Sequence, residues 1–139
     1  MNKWKKGLKT PVEKIRISET DVANYCTFIG ESSALYKDKA YAIKCGYEGI
    51  PLPYTYASLF WQKLSIPWLA NDDPVILVEQ NFSYDFPLIC GITYDISMEL
   101  TNVRRIREQL FLYHTLTVLL DGIKQMTMKT TLLYEEQPT

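Results

Sequence analysis

Ile92-Thr93-Tyr94-Asp95-Ile96-Ser97-Met98-Glu99-Leu100-Thr101 sets an apolar side chain against a polar one at every step. Side chains alternate faces along a strand, so this run predicts a strand with one buried face. A second run places Leu110, Leu112, Leu116 and Val118 on one side. Asp121-Gly122 then precedes the apolar stretch Ile123 to Tyr134, a hairpin signal because both turn positions need positive φ. Upstream, Ile76, Val78, Phe82, Tyr84 and Phe86 alternate with Leu77, Glu79, Asn81, Ser83 and Asp85, predicting another half-buried strand. The expectation is four long antiparallel strands in meander order. Strands longer than the usual ~5–6 residues twist and curl, leaving a concave face to be filled.

The residues before Asn71-Asp72-Asp73-Pro74 follow a helical period instead, after a short strand at Glu13 to Ile17. Ser18 and Asp21 have capping-box spacing and Gly30 is a C-terminal stop, with Val22, Tyr25, Cys26 and Ile29 on one face. Asp38 can cap a second short helix reaching Cys45 and ended by Gly46. Both helices are expected to be peripheral. From Pro53 a third helix carries Ala57, Phe60, Trp61 and Leu64, a stripe widened by Tyr56 and Leu59. This apolar helix, Tyr54 to Leu64, suits the concave face of the sheet. The expected class is α+β: a hot-dog fold, an antiparallel sheet of about five strands wrapped round a central helix. A ferredoxin-like sandwich is the alternative.

With 139 residues, 47% of them hydrophobic, the chain can bury a core as one domain spanning 1–139 without metal or disulfide staples. Its formal net charge of −1 disfavours nucleic acid or an anionic membrane as a partner. Cys26, Cys45 and Cys90 are odd in number and lack CxxC spacing, which suits reduced thiols and a cytoplasmic location. The N-terminal lysines are not followed by an apolar segment, so no signal peptide is expected. Apolar runs such as Leu116 to Leu120 are far short of the ~20 residues of a membrane helix.

No metal-ligand spacing, glycine-rich phosphate loop or Gly-x-Ser-x-Gly elbow occurs, so no metal or cofactor is expected. His114, the only histidine, has the parity of the buried leucines and reads as a hydrogen-bonded core residue. Arg104, Arg105 and Arg107 cluster at a strand end, as a solvated turn or as contacts for phosphates. Tyr54, Tyr56, Phe60 and Trp61 read as core or as the lining of an acyl tunnel.

Gly30, Asp38, Ala42, Gly46 and Tyr47 carry a spacing that resembles the MaoC-like hydratase/dehydratase family. Gln80 to Leu88 and Gly91 extend the resemblance over most of the chain as that family's second strand and following turn. In catalytic members, the resemblance implies, an aspartate and a histidine add water to an enoyl thioester or remove it from a (R)-3-hydroxyacyl thioester. A glycine N–H at the start of the central helix polarises the thioester carbonyl. Here the aspartate position holds Glu31, the histidine position Tyr36 and the glycine position Pro53. A phenol with a pKa near ~10 is a poor proton shuttle at neutral pH. Proline has no N–H for an oxyanion, and losing one such donor typically costs about 10²–10³ in rate. A shift of one residue would restore a donor at Tyr54.

The turn Gly49-Ile50-Pro51-Leu52-Pro53-Tyr54 resembles the proline-rich turn of the family's non-catalytic members, the N-terminal half of fused dehydratases or the acyl-holding subunit of two-chain ones. The implied role is the substrate-holding partner in a dehydratase/hydratase system. Glu31 and Tyr36 would occupy the catalytic positions, and Asp38 with Gly49 to Tyr54 would bind substrate. The implied partners are an acyl-CoA or acyl-carrier-protein thioester and a second hot-dog subunit, in a homodimer or heterodimer. A stand-alone hydratase, or a hot-dog acyl-CoA thioesterase, using Glu31 is the alternative, and a plain acyl-binding or assembly module is a third reading.

Overall fold

A computed structural model describes residues 3–69 and 73–136; Asn71 and Asp72 of the expected junction lie outside the described residues. Five strands form one antiparallel sheet: β1 (Glu13–Arg16), β2 (Val75–Tyr84), β3 (Thr93–Ile106), β4 (Gln109–Leu120) and β5 (Ile123–Glu135). The alternation quoted above is β3, and its Tyr94, Ile96, Met98 and Leu100 are all buried. Asp121 and Gly122 turn β4 into β5 with φ of 51° and 80°, the two positive values that such a hairpin requires.

The strand order is β1-β3-β4-β5-β2, which corrects the expected meander of all four long strands. β3, β4 and β5 do follow one another, but β2 pairs with β5 at the far edge. The reason lies in the link from β2 to β3. Its Leu88 and Ile89 are buried, and it pairs with the proline turn instead of folding straight back: Leu52 N–H donates to the Leu88 carbonyl at 2.8 Å and Cys90 N–H to that of Ile50 at 2.9 Å. The chain therefore crosses beneath the sheet between the two strands.

The first half of β2 also departs from expectation. A bulge between Leu77 and Glu79 breaks the two-residue period, and Ile76, Leu77 and Val78 are all exposed. Only Gln80, Phe82 and Tyr84 keep the half-buried side, and Phe86 lies outside. Further register shifts in β3 and β5 pairing, at Leu100 to Asn102 and at Val118 to Leu119, add the curl expected of bulged strands.

Helix α1 (Glu19–Ile29) begins with the capping box: Asp21 N–H donates to Ser18 Oγ and Ser18 N–H to the Asp21 carboxylate. Val22 and Cys26 are fully buried in the main core, so α1 is less peripheral than expected, while Ile29 at its end is exposed. Helix α2 (Lys39–Lys44) starts at Asp38 and is followed by Gly46 at φ 101°. The third helix is not α: Tyr56–Lys63 is a 3-10 helix, preceded by Tyr54 and Thr55 in a turn. Three residues per turn stack Ala57 on Phe60, and the steeper rise lets eight residues span about 16 Å. Tyr56, Ala57, Phe60 and Leu64 pack against Ile96, Met98, Leu116, Val118, Met126 and Met128 of the concave sheet. A second cluster, built on Trp4, Trp68, Leu100, Leu110, Leu112 and Leu132, continues the core past the helix.

Candidate functional site

The proline turn is a short extended segment rather than a loose loop. Ile50 sits in the core, Pro51 bridges to Ile89, and Pro53 is buried. Gly49 lies close to this pairing, where a Cβ would come within 3.2 Å of Ile89 Cγ2. The backbone then rises into the helix, with Tyr56 N–H donating to the Pro53 carbonyl at 3.0 Å. Leu52 N–H is spent on Leu88 and Pro53 has none, so the next main-chain donor after Leu52 is that of Tyr54, which has no partner among the described residues.

Against this turn lies an open pocket of about 400 Å³. Leu35 and Tyr36 form one side, Pro51, Leu52 and Tyr54 the second, and Tyr84 to Leu88, the exit of β2, the third. Tyr47 completes the rim. Apolar walls with a few polar groups, at this volume, fit a small-molecule site. The Asp85 carboxylate at the rim faces Lys124 Nζ at 3.6 Å.

The sequence-predicted residues divide sharply around this pocket. Tyr36, Pro51, Leu52 and Tyr54 line it. Glu31 is exposed and outside the lining, and its Oε2 accepts a hydrogen bond from Ser33 N–H at 3.1 Å. Asp38 is also elsewhere, accepting from Tyr41 N–H at 3.2 Å as the cap of α2. Gly49, Ile50 and Pro53 shape the turn from behind. Burial raises the Tyr36 phenol above its ordinary value, and the nearby Glu31 charge pushes the same way. A group so shifted holds its proton at neutral pH.

Two tyrosines tie the turn to the edge strand. Tyr54 Oη donates to the Phe82 carbonyl at 2.8 Å, and Tyr84 Oη donates back to the Tyr54 carbonyl. Their ring centroids are 4.8 Å apart. Burial, followed by the neighbouring tyrosines, raises the Tyr84 phenol strongly. The β2 exit was not among the predicted site residues; its signal was the Tyr84-Asp85-Phe86-Pro87-Leu88 run that ends the alternation.

Other candidates fall outside. Tyr56 and Phe60 are core, 7% and 1% exposed, and with Trp61 are absent from the pocket lining, so the tunnel reading gives way to the core one. His114 is buried, its Nε2 accepting from Trp68 Nε1–H at 2.9 Å between the rings of Trp61 and Trp68. Its Nδ1 has no partner among the described residues, and burial lowers its pKa to about 4. The arginine cluster sits at the opposite end of the sheet. Tyr84 pairs with Met126 of β5, whereas the β3–β4 turn adjoins Glu135, about 30 Å further along the strand. There Arg105 pairs with Glu136, the solvated-turn reading.

No family model and no curated protein matches the sequence. Solved structures do. A chain of the truncated HadBC (3R-hydroxyacyl-ACP dehydratase) complex from Mycobacterium tuberculosis superimposes with TM-score 0.82 at 16% identity, over 92% of this chain and 96% of that one. The (R)-hydratase from A. caviae involved in PHA biosynthesis gives 0.75 at 20% identity, over 95% and 98%. The fold is the hot dog. A MaoC-like dehydratase from Rhodospirillum rubrum gives 0.75 at 9% identity, over 98% and 96%, so the hot-dog likeness again spans both chains nearly end to end. The five-strand order and the helix in the concave face decide against the ferredoxin-like alternative. The hot-dog fold also puts the expected MaoC-like resemblance on structural ground, since its solved neighbours carry that description. No helix among the described residues is long and apolar enough to cross a membrane.

Proposed function

We propose that this chain is the substrate-holding hot-dog partner in a (R)-3-hydroxyacyl-thioester dehydratase or enoyl-thioester hydratase system, with the catalytic Asp/His pair supplied by a second hot-dog chain. One observation carries this reading: the pocket against the proline turn is apolar and open, yet its lining contains no histidine and one carboxylate, Asp85, which faces Lys124. General acid/base work at neutral pH needs a group that exchanges its proton there, and a buried phenol does not. Glu31 is turned to a backbone N–H, which weighs against a stand-alone hydratase or thioesterase. The acyl thioester, of coenzyme A or a carrier protein, would lie in the pocket with its carbonyl toward the Tyr54 N–H.

The exposed Ile76-Leu77-Val78 on edge strand β2 supports a second hot-dog subunit as partner, because an apolar, unpaired edge invites pairing. Cys26, Cys45 and Cys90 are unpaired, in keeping with a reducing, cytoplasmic setting. Calorimetric titration with crotonyl-CoA tests the pocket. Saturable binding by the wild type, lost in Leu35→Trp with an unchanged melting temperature, is the expected result. Equal binding by both proteins would place the thioester elsewhere, and no binding by the wild type would overturn the reading.

A further inference from the structure

The pocket stops abruptly. Tyr54 and Tyr84 line it, but Tyr56, Phe60 and Trp61, next along the central helix, do not. An acyl chain entering beside the proline turn and running along the helix would have to pass between that turn and β2. Two hydrogen bonds cross in opposite directions there: Tyr54 Oη to the Phe82 carbonyl of the strand, and Tyr84 Oη to the Tyr54 carbonyl of the turn. The rings fill the same gap, with Tyr54 4.8 Å from Tyr84 and 5.7 Å from Phe82, the latter packed on the core. Each phenol is fixed by one hydrogen bond at its hydroxyl and by packing along its ring, so a chain passing there has to displace both.

We infer that Tyr54 and Tyr84 form a latch that closes the inner end of the pocket and restricts this subunit to short acyl groups. The inference rests on the acyl-thioester reading of the pocket. Tyr84 is the specificity-determining member: it grips the turn from the edge strand, and it is the less exposed of the two residues. Tyr54, 59% exposed, is the outer member, and it braces Tyr84 through its carbonyl and its ring.

The test is equilibrium binding of a straight-chain acyl-CoA series from acetyl to dodecanoyl to wild type, Tyr84→Phe and Tyr84→Ala. Each buried methylene adds roughly fourfold in affinity. The wild type should climb at that slope for the shortest chains and then go flat where the chain meets the latch. Tyr84→Phe, which keeps the ring and loses the hydrogen bond, should move the break to longer chains. Tyr84→Ala should move it further, binding dodecanoyl-CoA at least about tenfold tighter than wild type, as burying two more methylenes gives. Melting curves check that each variant is folded; if the alanine variant is not, the phenylalanine variant carries the comparison. A wild-type profile that climbs without a break, or a break that neither variant moves, overturns the latch and leaves the acyl-thioester reading standing. Failure of the wild type to bind any member overturns both.

Discussion

The two ends of the central 3-10 helix are built from aromatic residues and hydrogen bonds, yet one is open and the other sealed. At the entry, Tyr36, Tyr54 and Tyr84 surround a pocket that solvent reaches. At the exit, Trp61 and Trp68 enclose His114, which is 1% exposed. The one side chain whose ordinary pKa lies near neutrality is thus placed where burial drives it to about 4. At the open end burial raises the pKa of the Tyr36 and Tyr84 phenols. Each end lacks what the other has: access without a proton shuttle, and an imidazole without access.

The largest way to break this contrast is to open the sealed end. Trp68→Ala removes a nearly buried indole, the donor to His114, and part of the packing around Trp4, whose Nε1–H donates to the Trp68 carbonyl. It should cost about 3–5 kcal/mol, read as a lower midpoint in urea.

Acid should act at the same place. His114 has a folded pKa of about 4 against an ordinary value of 6.5, so the folded protein binds fewer protons between them. Its stabilising contribution is present above pH 6.5 and lost as pH falls toward 4, on the order of 3 kcal/mol. Urea unfolding measured across that window should show the slope, and His114→Gln should flatten it.

Smaller effects belong to the open end. Tyr84→Phe should lower stability by about 0.5–1.5 kcal/mol, the worth of one hydrogen bond, in the same unfolding assay. Glu31→Gln touches only an exposed turn and should stay within about 0.5 kcal/mol of wild type.

Periodicity made the sealed part of the molecule legible. β3 and β4 alternate because one face meets the core, and Asp121-Gly122 announces its turn chemically. The parity of His114 alone predicted its burial. What could not be read were features set by distant pairing. The place of β2 beside β5 depends on Leu88 and Cys90 bonding to Leu52 and Ile50 of the proline turn, far earlier in the chain, and local pattern carries no trace of that. The bulge at Leu77 to Glu79 likewise spoils an alternation that looked regular. In the site, the family resemblance pointed to Tyr36, Asp38 and the proline turn; Tyr36, Pro51, Leu52 and Tyr54 line the pocket, and Asp38 caps α2. The third wall came from a strand end that only tertiary pairing brings across.

Turnover by the purified chain alone measures the central contrast most directly. Crotonyl-CoA at saturating concentration should stay unhydrated, its enoyl absorbance unchanged, until a hot-dog chain with an intact Asp/His pair is added. Hydration by this chain alone at about 1–10³ per second, abolished by Glu31→Gln, would contradict the account.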